Sequence, residues 1–216
     1  PPTTNRETLD TVVNEAYRPL LNLLKSHRRL RLTLNINASL TLQLQEAGCT
    51  DLLRIIRTLS KGKRVEFTDT AAFHPLLPLI PEKEAIKQIK INQQIHRDIF
   101  GKHWRPKGFF FPEMAYSTKL SRTISNLGYR WTMIDEISRF GRTLTDKEPK
   151  PNENIWQTKF KIKDTKLNVL FRHRRISKTF VPLSIYKQLQ KGSPNPIIIS
   201  ATDGEVYGHN HKDCLL

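Results

Sequence analysis

Residues 64–113 read RVEFTDTAAFHPLLPLIPEKEAIKQIKINQQIHRDIFGKHWRPKGFFFPE, and the order of patterns in this stretch decides the fold. Arg64 to Thr68 reads as a short strand, Glu82 to Phe100 as a long helix closed by Gly101, and Lys107 to Phe111 as a short aromatic strand. A strand, a helix and a second strand in series are the signature of a parallel pair joined by a crossover helix. Toward the N-terminus, apolar residues at Leu9, Val12, Val13, Ala16, Tyr17, Leu20, Leu21 and Leu24 give Glu7 to Ser26 a helical period. Pro19 predicts a kink or an early break in that helix. Leu32, Leu34 and Ile36 alternate with polar residues from Arg31 to Asn37, as in a strand. A helix follows through Leu40, Leu42 and Leu44 to near Gly48. Thr50 and Asp51 can cap another, which stops at Gly62.

The same alternation continues toward the C-terminus. Ser117 to Leu127 reads as a helix ended by Gly128, and Arg130 to Ile134 as a strand. Phe140 to Asn154 is a polar surface excursion, and Ile155 to Ile162 and Leu167 to Phe171 look like paired strands. Ser184 to Gln190 is a short helix, and the apolar run Pro196 to Ala201 suits a strand covered on both faces. No G-x-G-x-x-G or G-x-x-x-x-G-K-[ST] phosphate loop is present. The expectation is an α/β fold with a parallel barrel rather than an open sheet, in one domain over residues 1–216. Strands 31–37, 64–68, 107–111, 130–134 and 196–201 should be parallel neighbours in it.

Composition narrows the function classes. The 216 residues are 38% hydrophobic, adequate for a core, and carry a formal charge of +16. Lys and Arg are spread along helices and turns, as in Lys83, Lys87, Lys90 and Arg97, and no nucleic-acid module surrounds the clusters Arg28–Arg31 and Arg172–Arg175. No nucleic-acid partner is expected. Neither a membrane span nor a secretory signal is visible, so no membrane partner is expected either. Cys49 and Cys214 lie far apart without a C-x-x-C partner, which fits a cytoplasmic protein.

In parallel barrels the reacting groups gather just beyond the carboxyl ends of the strands. Here those positions hold Asp69, Glu113, Asp135, Glu136, Asp203 and Glu205, with His74 close behind the second strand. Carboxylates in pairs serve glycosidic cleavage, one protonating the leaving oxygen and the other attacking carbon or activating water. Spacing alone does not choose among the six, and an acid at a strand end is often only a cap or a solvated turn. Tyr116 and Tyr207 adjoin two of these acids and offer aromatic faces to a sugar ring, whereas Trp131, on a strand, reads as core. His209, His211 and Asp213 are metal-ligand types, but His-x-His is too loose a spacing to assign a metal, and no cofactor is expected.

Three runs make the choice. Gly108-Phe109-Phe110-Phe111-Pro112-Glu113-Met114-Ala115-Tyr116-Ser117, Thr202-Asp203-Gly204-Glu205-Val206-Tyr207-Gly208-His209, and Phe67-Thr68-Asp69-Thr70-Ala71-Ala72-Phe73-His74 ahead of Pro75-Leu76-Leu77-Pro78-Leu79 resemble successive motifs of the family 57 glycoside hydrolases. Asn35-Ile36-Asn37-Ala38-Ser39-Leu40 and the Asp135-Glu136 pair extend the resemblance along the chain. The resemblance implies an incomplete (β/α)7 barrel and a retaining mechanism on α-linked glucans or maltooligosaccharides. Glu113 would be the nucleophile and Asp203 the general acid/base, with substrate contacts from His74, Tyr116, Tyr207, Glu205 and Asp135. Family members open on a His-x-x-Gln-Pro type motif, and this chain starts at Pro1-Pro2, so the first strand and its histidine are expected to be missing, as is the C-terminal helical part. Phe171-Arg172-His173-Arg174 stands where many members have Arg-Asp-Arg. Two other readings remain open. One is a glycan-binding fragment without turnover. The other is a polysaccharide deacetylase, whose metal chemistry needs a His-x-x-x-His set that the chain lacks.

Overall fold

Pro19 does not end the first helix. In the computed structural model, which describes residues 5–141, 155–156, 158–177, 186–187 and 199–209, helix α1 (Arg6–Val12) runs into a π-helical turn, Val13–Tyr17, and continues as α2 (Arg18–Ser26). A proline ring in a helix meets the carbonyl four residues earlier and leaves it without a donor. Widening that turn, so that Arg18 N–H donates to Val13 O, accommodates the ring without breaking the helix.

From there strands and helices alternate in the expected order. They are β1 (Leu32–Asn35), α3 (Ala38–Glu46), α4 (Thr50–Lys61), β2 (Val65–Asp69), α5 (Glu82–Phe100), β3 (Gly108–Phe110), α6 (Thr118–Asn126) and β4 (Trp131–Asp135). The short α7 (Ile137–Phe140) follows, then β5 (Lys159–Lys161), β6 (Asn168–Arg172) and α8 (Arg174–Ser177). The side chain of Asn37 accepts from Leu40 N at 2.8 Å to start α3, and Ser117 Oγ accepts from Leu120 N at 3.3 Å to start α6. Thr50 and Asp51 turn out to lie inside the first turn of α4, whose N-cap is Cys49, and Asp51 pairs with Arg18 of α2 instead.

The six strands form one sheet in the order β1-β2-β3-β4-β6-β5. β1 through β4 are parallel neighbours, as their alternation with helices requires. β6 also joins in parallel, on β4, while its hairpin partner β5 is antiparallel at the edge. The parallel place of β6 differs from the expectation, which saw it only as a hairpin partner of the preceding segment. Residues 196–198 lie outside the described residues. Ile199 to Ala201 are not in a strand, although Ile199 O accepts from His173 N at 2.7 Å beside the end of β6. Most of the excursion 140–154 and all of the helix 184–190 except Tyr186 and Lys187 also lie outside the described residues.

The period of two assigns each strand residue a face. Val65 and Phe67 of β2 face the helices and pack with Leu52, Ile56, Phe100 and Trp104 in one apolar cluster. Phe109 and Phe111, Ile134, Val169 and Phe171 form a second with Ile89 and Ile124. The opposite face of the sheet carries Asn35, Thr68, Gly108, Trp131, Asp135 and Arg172. A Cβ on Gly108 would lie 2.4 Å from the ring of Trp131, so the indole covers that glycine and only glycine fits beneath it. Cys49 is buried as a free thiol. No helix among the described residues is long and apolar enough to cross a membrane.

Candidate active site

Glu113 is presented by strained backbone. Just past β3, Phe111 and Pro112 are buried, and the chain then turns through left-handed conformations at Glu113 (φ 55°) and Met114 (φ 53°). Such φ values cost a side-chain-bearing residue about 1–3 kcal/mol and persist only where the surroundings fix them. Here Met114 N donates to Phe111 O at 2.7 Å and Ala115 N to Pro112 O at 3.0 Å. The turn lifts the Glu113 side chain out to 72% exposure at the carboxyl end of the sheet. His74 is left-handed too (φ 57°), and its Nε2 lies 3.2 Å from Glu113 Oε1.

The loop that carries His74 is fixed from beneath. Asp69, at the end of β2, accepts from Thr70 N at 2.8 Å and from Asn92 Nδ2 at 2.6 Å, and the hydroxyl of Tyr129 donates to its other oxygen. Gln88 of α5 accepts from Ala72 N through its carbonyl and from Phe73 N through its side chain, both at 3.2 Å. Thr70 Oγ1 donates to Phe110 O at 2.8 Å and so ties this loop to the strand that leads into Glu113. Asp69 shares the helix-facing side of β2 with Phe67 and is fully buried, so it supports the rim from below. Burial raises its carboxyl above the ordinary value, against the lowering effect of the Tyr129, Asn92 and Thr70 donors.

Asp135 ends β4, the strand next to β3. Its Oδ2 is 2.8 Å from Arg174 and 2.9 Å from Arg172, and its Oδ1 accepts from Ile137 N at 3.0 Å. Burial works to raise this carboxyl, but the Ile137 amide and the two guanidinium groups outweigh it and hold it below the ordinary value. Both oxygens of Asp135 are thereby taken up by protein groups. Glu136 is buried next to it and accepts from Trp156 Nε1 at 2.5 Å, and the Trp156 ring stacks on His173 at 4.4 Å.

The third part of the rim is the segment from Ile199 to His209. Ala201 N donates to Ser177 Oγ at 3.2 Å and Arg172 reaches Ala201 O at 3.4 Å, so the segment starts beside β6 and the Asp135 cluster. Asp203 is exposed, and a 3-10 turn, Gly204–Val206, follows it. Glu205 accepts from the hydroxyl of Tyr17, and His209 Nδ1 lies 2.5 Å from Glu15 Oε2, both on the π-turn. Tyr207 is partly buried, and its phenol is raised by burial against a lowering bond with Thr202. Tyr116, beyond Glu113, sets its ring edge-on to Phe111 at 6.1 Å.

The structure thus joins His74 to Glu113, and places Asp203, Glu205 and Tyr207 on one segment against the N-terminal helix. Glu205 is held by a protein group, as Asp135 is. Sequence reasoning missed Tyr17 and Glu15, which read there only as parts of an amphipathic helix, and missed Arg172 and Arg174 as partners of Asp135. No sequence signal was available for the latter, because the pairing of β6 with β4 that brings them together is not legible in the sequence. Among the described residues no group of three or more His, Cys, Asp or Glu side chains is arranged to hold a metal ion. His211 and Asp213 lie outside the described residues.

Comparison with known proteins adds the lineage. The chain is 24% identical over 200 residues to a 4-alpha-glucanotransferase of Thermococcus litoralis, and 24% identical over 199 residues to an alpha-amylase of Pyrococcus horikoshii. Each alignment covers 90% of this chain, which spans only 29% and 30% of those relatives' lengths. Among solved structures, the 4-alpha-glucanotransferase of Thermococcus litoralis matches 95% of this chain and 31% of its own with a TM-score of 0.77 at 18% identity. A family 57-type branching enzyme of Pyrococcus horikoshii matches 98% of this chain and 61% of its own with a TM-score of 0.72 at 17% identity. The curled, mostly parallel sheet is the fold of these neighbours, an incomplete (β/α)7 barrel of which six strands are described here. The sequence profile described as Glycosyl hydrolase family 57 matches residues 2–213, and the chain belongs to that family.

Proposed function

We propose that this chain carries the catalytic face of a retaining enzyme acting on α-linked glucans, with Glu113 as nucleophile and Asp203 as general acid/base. The observation that carries the reading is the exposed Glu113 carboxylate, raised on a left-handed turn at the strand ends and paired with His74. Family membership supports the reaction class, and the names of the relatives, amylase, glucanotransferase and branching enzyme, support the substrate.

The ionised Glu113 attacks the anomeric carbon and forms an ester as the bond from that carbon to the glycosidic oxygen breaks. Asp203 gives its proton to the departing oxygen. In the second half, water or a sugar hydroxyl attacks the same carbon, its proton passes to Asp203, and the Glu113 carboxylate leaves. Hydrolysis and glucan transfer therefore differ only in the acceptor. His74, 3.2 Å from Glu113, orients the nucleophile, and the faces of Tyr116 and Tyr207 suit sugar rings on either side.

Glu113→Gln in the full-length protein should abolish formation of the glycosyl-enzyme. Asp203→Asn should slow turnover of maltooligosaccharides but spare the first turnover of α-maltosyl fluoride, whose leaving group needs no proton. A Glu113→Gln protein that keeps its activity on maltoheptaose would overturn the assignment.

A further inference from the structure

The N-terminal helix takes no part in the chemistry proposed above, yet it anchors the segment that carries Asp203. Five residues, Val13–Tyr17, leave α-helical pitch just before Pro19, and π-turns inside helices are frequent at functional sites. Two side chains of this turn reach the segment. The hydroxyl of Tyr17 donates to Glu205, and Glu15 Oε2 sits 2.5 Å from His209 Nδ1. The Tyr17 ring also lies against the backbone, because a Cβ added to Gly204 would come 3.3 Å from its Cε1. The phenol is raised by burial first and then by the carboxylates of Glu205 and Asp203, so it stays protonated and acts as a donor beside both. On the other side of Asp203, Ile199 and Ala201 are held by His173, Ser177 and Arg172 at the end of β6. The exposed carboxyl therefore stands between two anchors, one on the sheet and one on the π-turn.

We infer that the π-turn is the positioning element for Asp203, with Tyr17 acting through Glu205 and Gly204 and Glu15 acting through His209. The inference rests on the reading of Asp203 as general acid/base. Neither Tyr17 nor Glu15 is a catalytic residue. They fix where the Asp203 carboxyl stands relative to the glycosidic oxygen, and a misplacement of about 1 Å in such a group costs on the order of a hundredfold in rate.

The test is Tyr17→Phe in the full-length enzyme, which keeps the ring against Gly204 and removes only the donor. Turnover of maltooligosaccharides should fall roughly ten- to a hundredfold with KM little changed. First-turnover fluoride release from α-maltosyl fluoride should be nearly that of the parent, because that step does not use the displaced acid. Glu15→Leu cuts the outer contact, leaves Tyr17 in place, and should show the same selective loss. It serves as the test if Tyr17→Phe fails to fold. An equal loss on both substrates, or none on either, overturns the inference. Asp203→Asn run alongside separates the two claims. If it shows the selective loss and the π-turn variants do not, the positioning idea alone falls. If Asp203→Asn lacks it, the assignment of Asp203 falls.

Discussion

Asp69 and Asp135 both end a strand, and burial opposes the charge of each, but the donors around them settle the balance differently. Asp69 is raised, because three neutral side chains, Tyr129, Asn92 and Gln93, and the Thr70 amide do not offset full burial, whereas the Ile137 amide and two guanidinium groups pull Asp135 down. The consequences for stability have opposite signs. A raised folded value means that the contribution of Asp69 is fully present below its unfolded pKa, about 3.9, and is lost as pH rises through the folded value. A depressed folded value means that the contribution of Asp135 is present above about 3.9 and is lost as pH falls through the folded value. Denaturant unfolding of Asp69→Asn and Asp135→Asn across acid pH should give differences from the parent that slope in opposite directions, and parallel slopes would refute the assignment. Residue spacing ranked both only as strand-end carboxylates, and the family resemblance made Asp135 a substrate contact. Which face each one takes depends on strand register, and partners such as Asn92, Tyr129, Arg172 and Arg174 come from far along the chain. Gly108 carries a simpler expectation. A methyl there meets the Trp131 ring at 2.4 Å, so Gly108→Ala should cost about 1–3 kcal/mol by denaturant unfolding. Trp131→Leu in the same chain should recover part of that loss. Trp131 was read as core, and its indole is in fact partly exposed, on the sheet face away from the helices.

At the scale of elements, local signals were legible and non-local pairings were not. α5 begins and ends where its period and Gly101 place it, and β1 to β4 fall within a residue or two of their expected bounds, because each is set by its own apolar spacing and flanking caps. The parallel bond of β6 to β4 could not be read, since a hairpin explains the same residues with a shorter loop. Of the kink or early break that Pro19 led one to expect, the break does not occur: the helix is distorted into a widened turn and continues, because α2 goes on to bury Leu21 and Leu24 in the core. That burial stabilises the continued helix more than the proline disfavours it. Pro19→Ala removes the steric reason for the π-turn and is favoured in a helix interior by about 3 kcal/mol. Its thermal midpoint should equal or exceed the parent's, while its rate on maltooligosaccharides falls as Tyr17 and Glu15 rotate away from the 203–209 segment. An unchanged rate would detach the π geometry from the placement of Asp203.

Across the whole molecule, the strand order brings the two proposed carboxyls to one rim but not onto adjacent strands. Glu113 follows β3, Asp203 follows the segment bound beside the end of β6, and β4 and β6 lie between. Neighbouring strands are spaced about 4.8 Å, so three steps along a flat sheet would separate the two positions by roughly 14 Å. Retention needs the carboxyl groups only about 5 to 5.5 Å apart, whereas inversion leaves about 6.5 to 9.5 Å for a water. Under the retaining assignment proposed for Glu113 and Asp203, the difference would be made up by the curl of the sheet, the left-handed turn at Glu113 and the π-turn behind Asp203. The Asp135 cluster ends the strand next to β3, and its charge is met by Arg172 and Arg174. A crystal structure of the full-length enzyme with a maltooligosaccharide across the rim should therefore show the Glu113 and Asp203 carboxyls at the shorter spacing. Proton NMR of the first-formed product from an α-linked substrate gives the same answer in solution: an α-anomer that mutarotates toward β is expected, and a β-anomer appearing first would mean that the rim is wider than the retaining reaction allows.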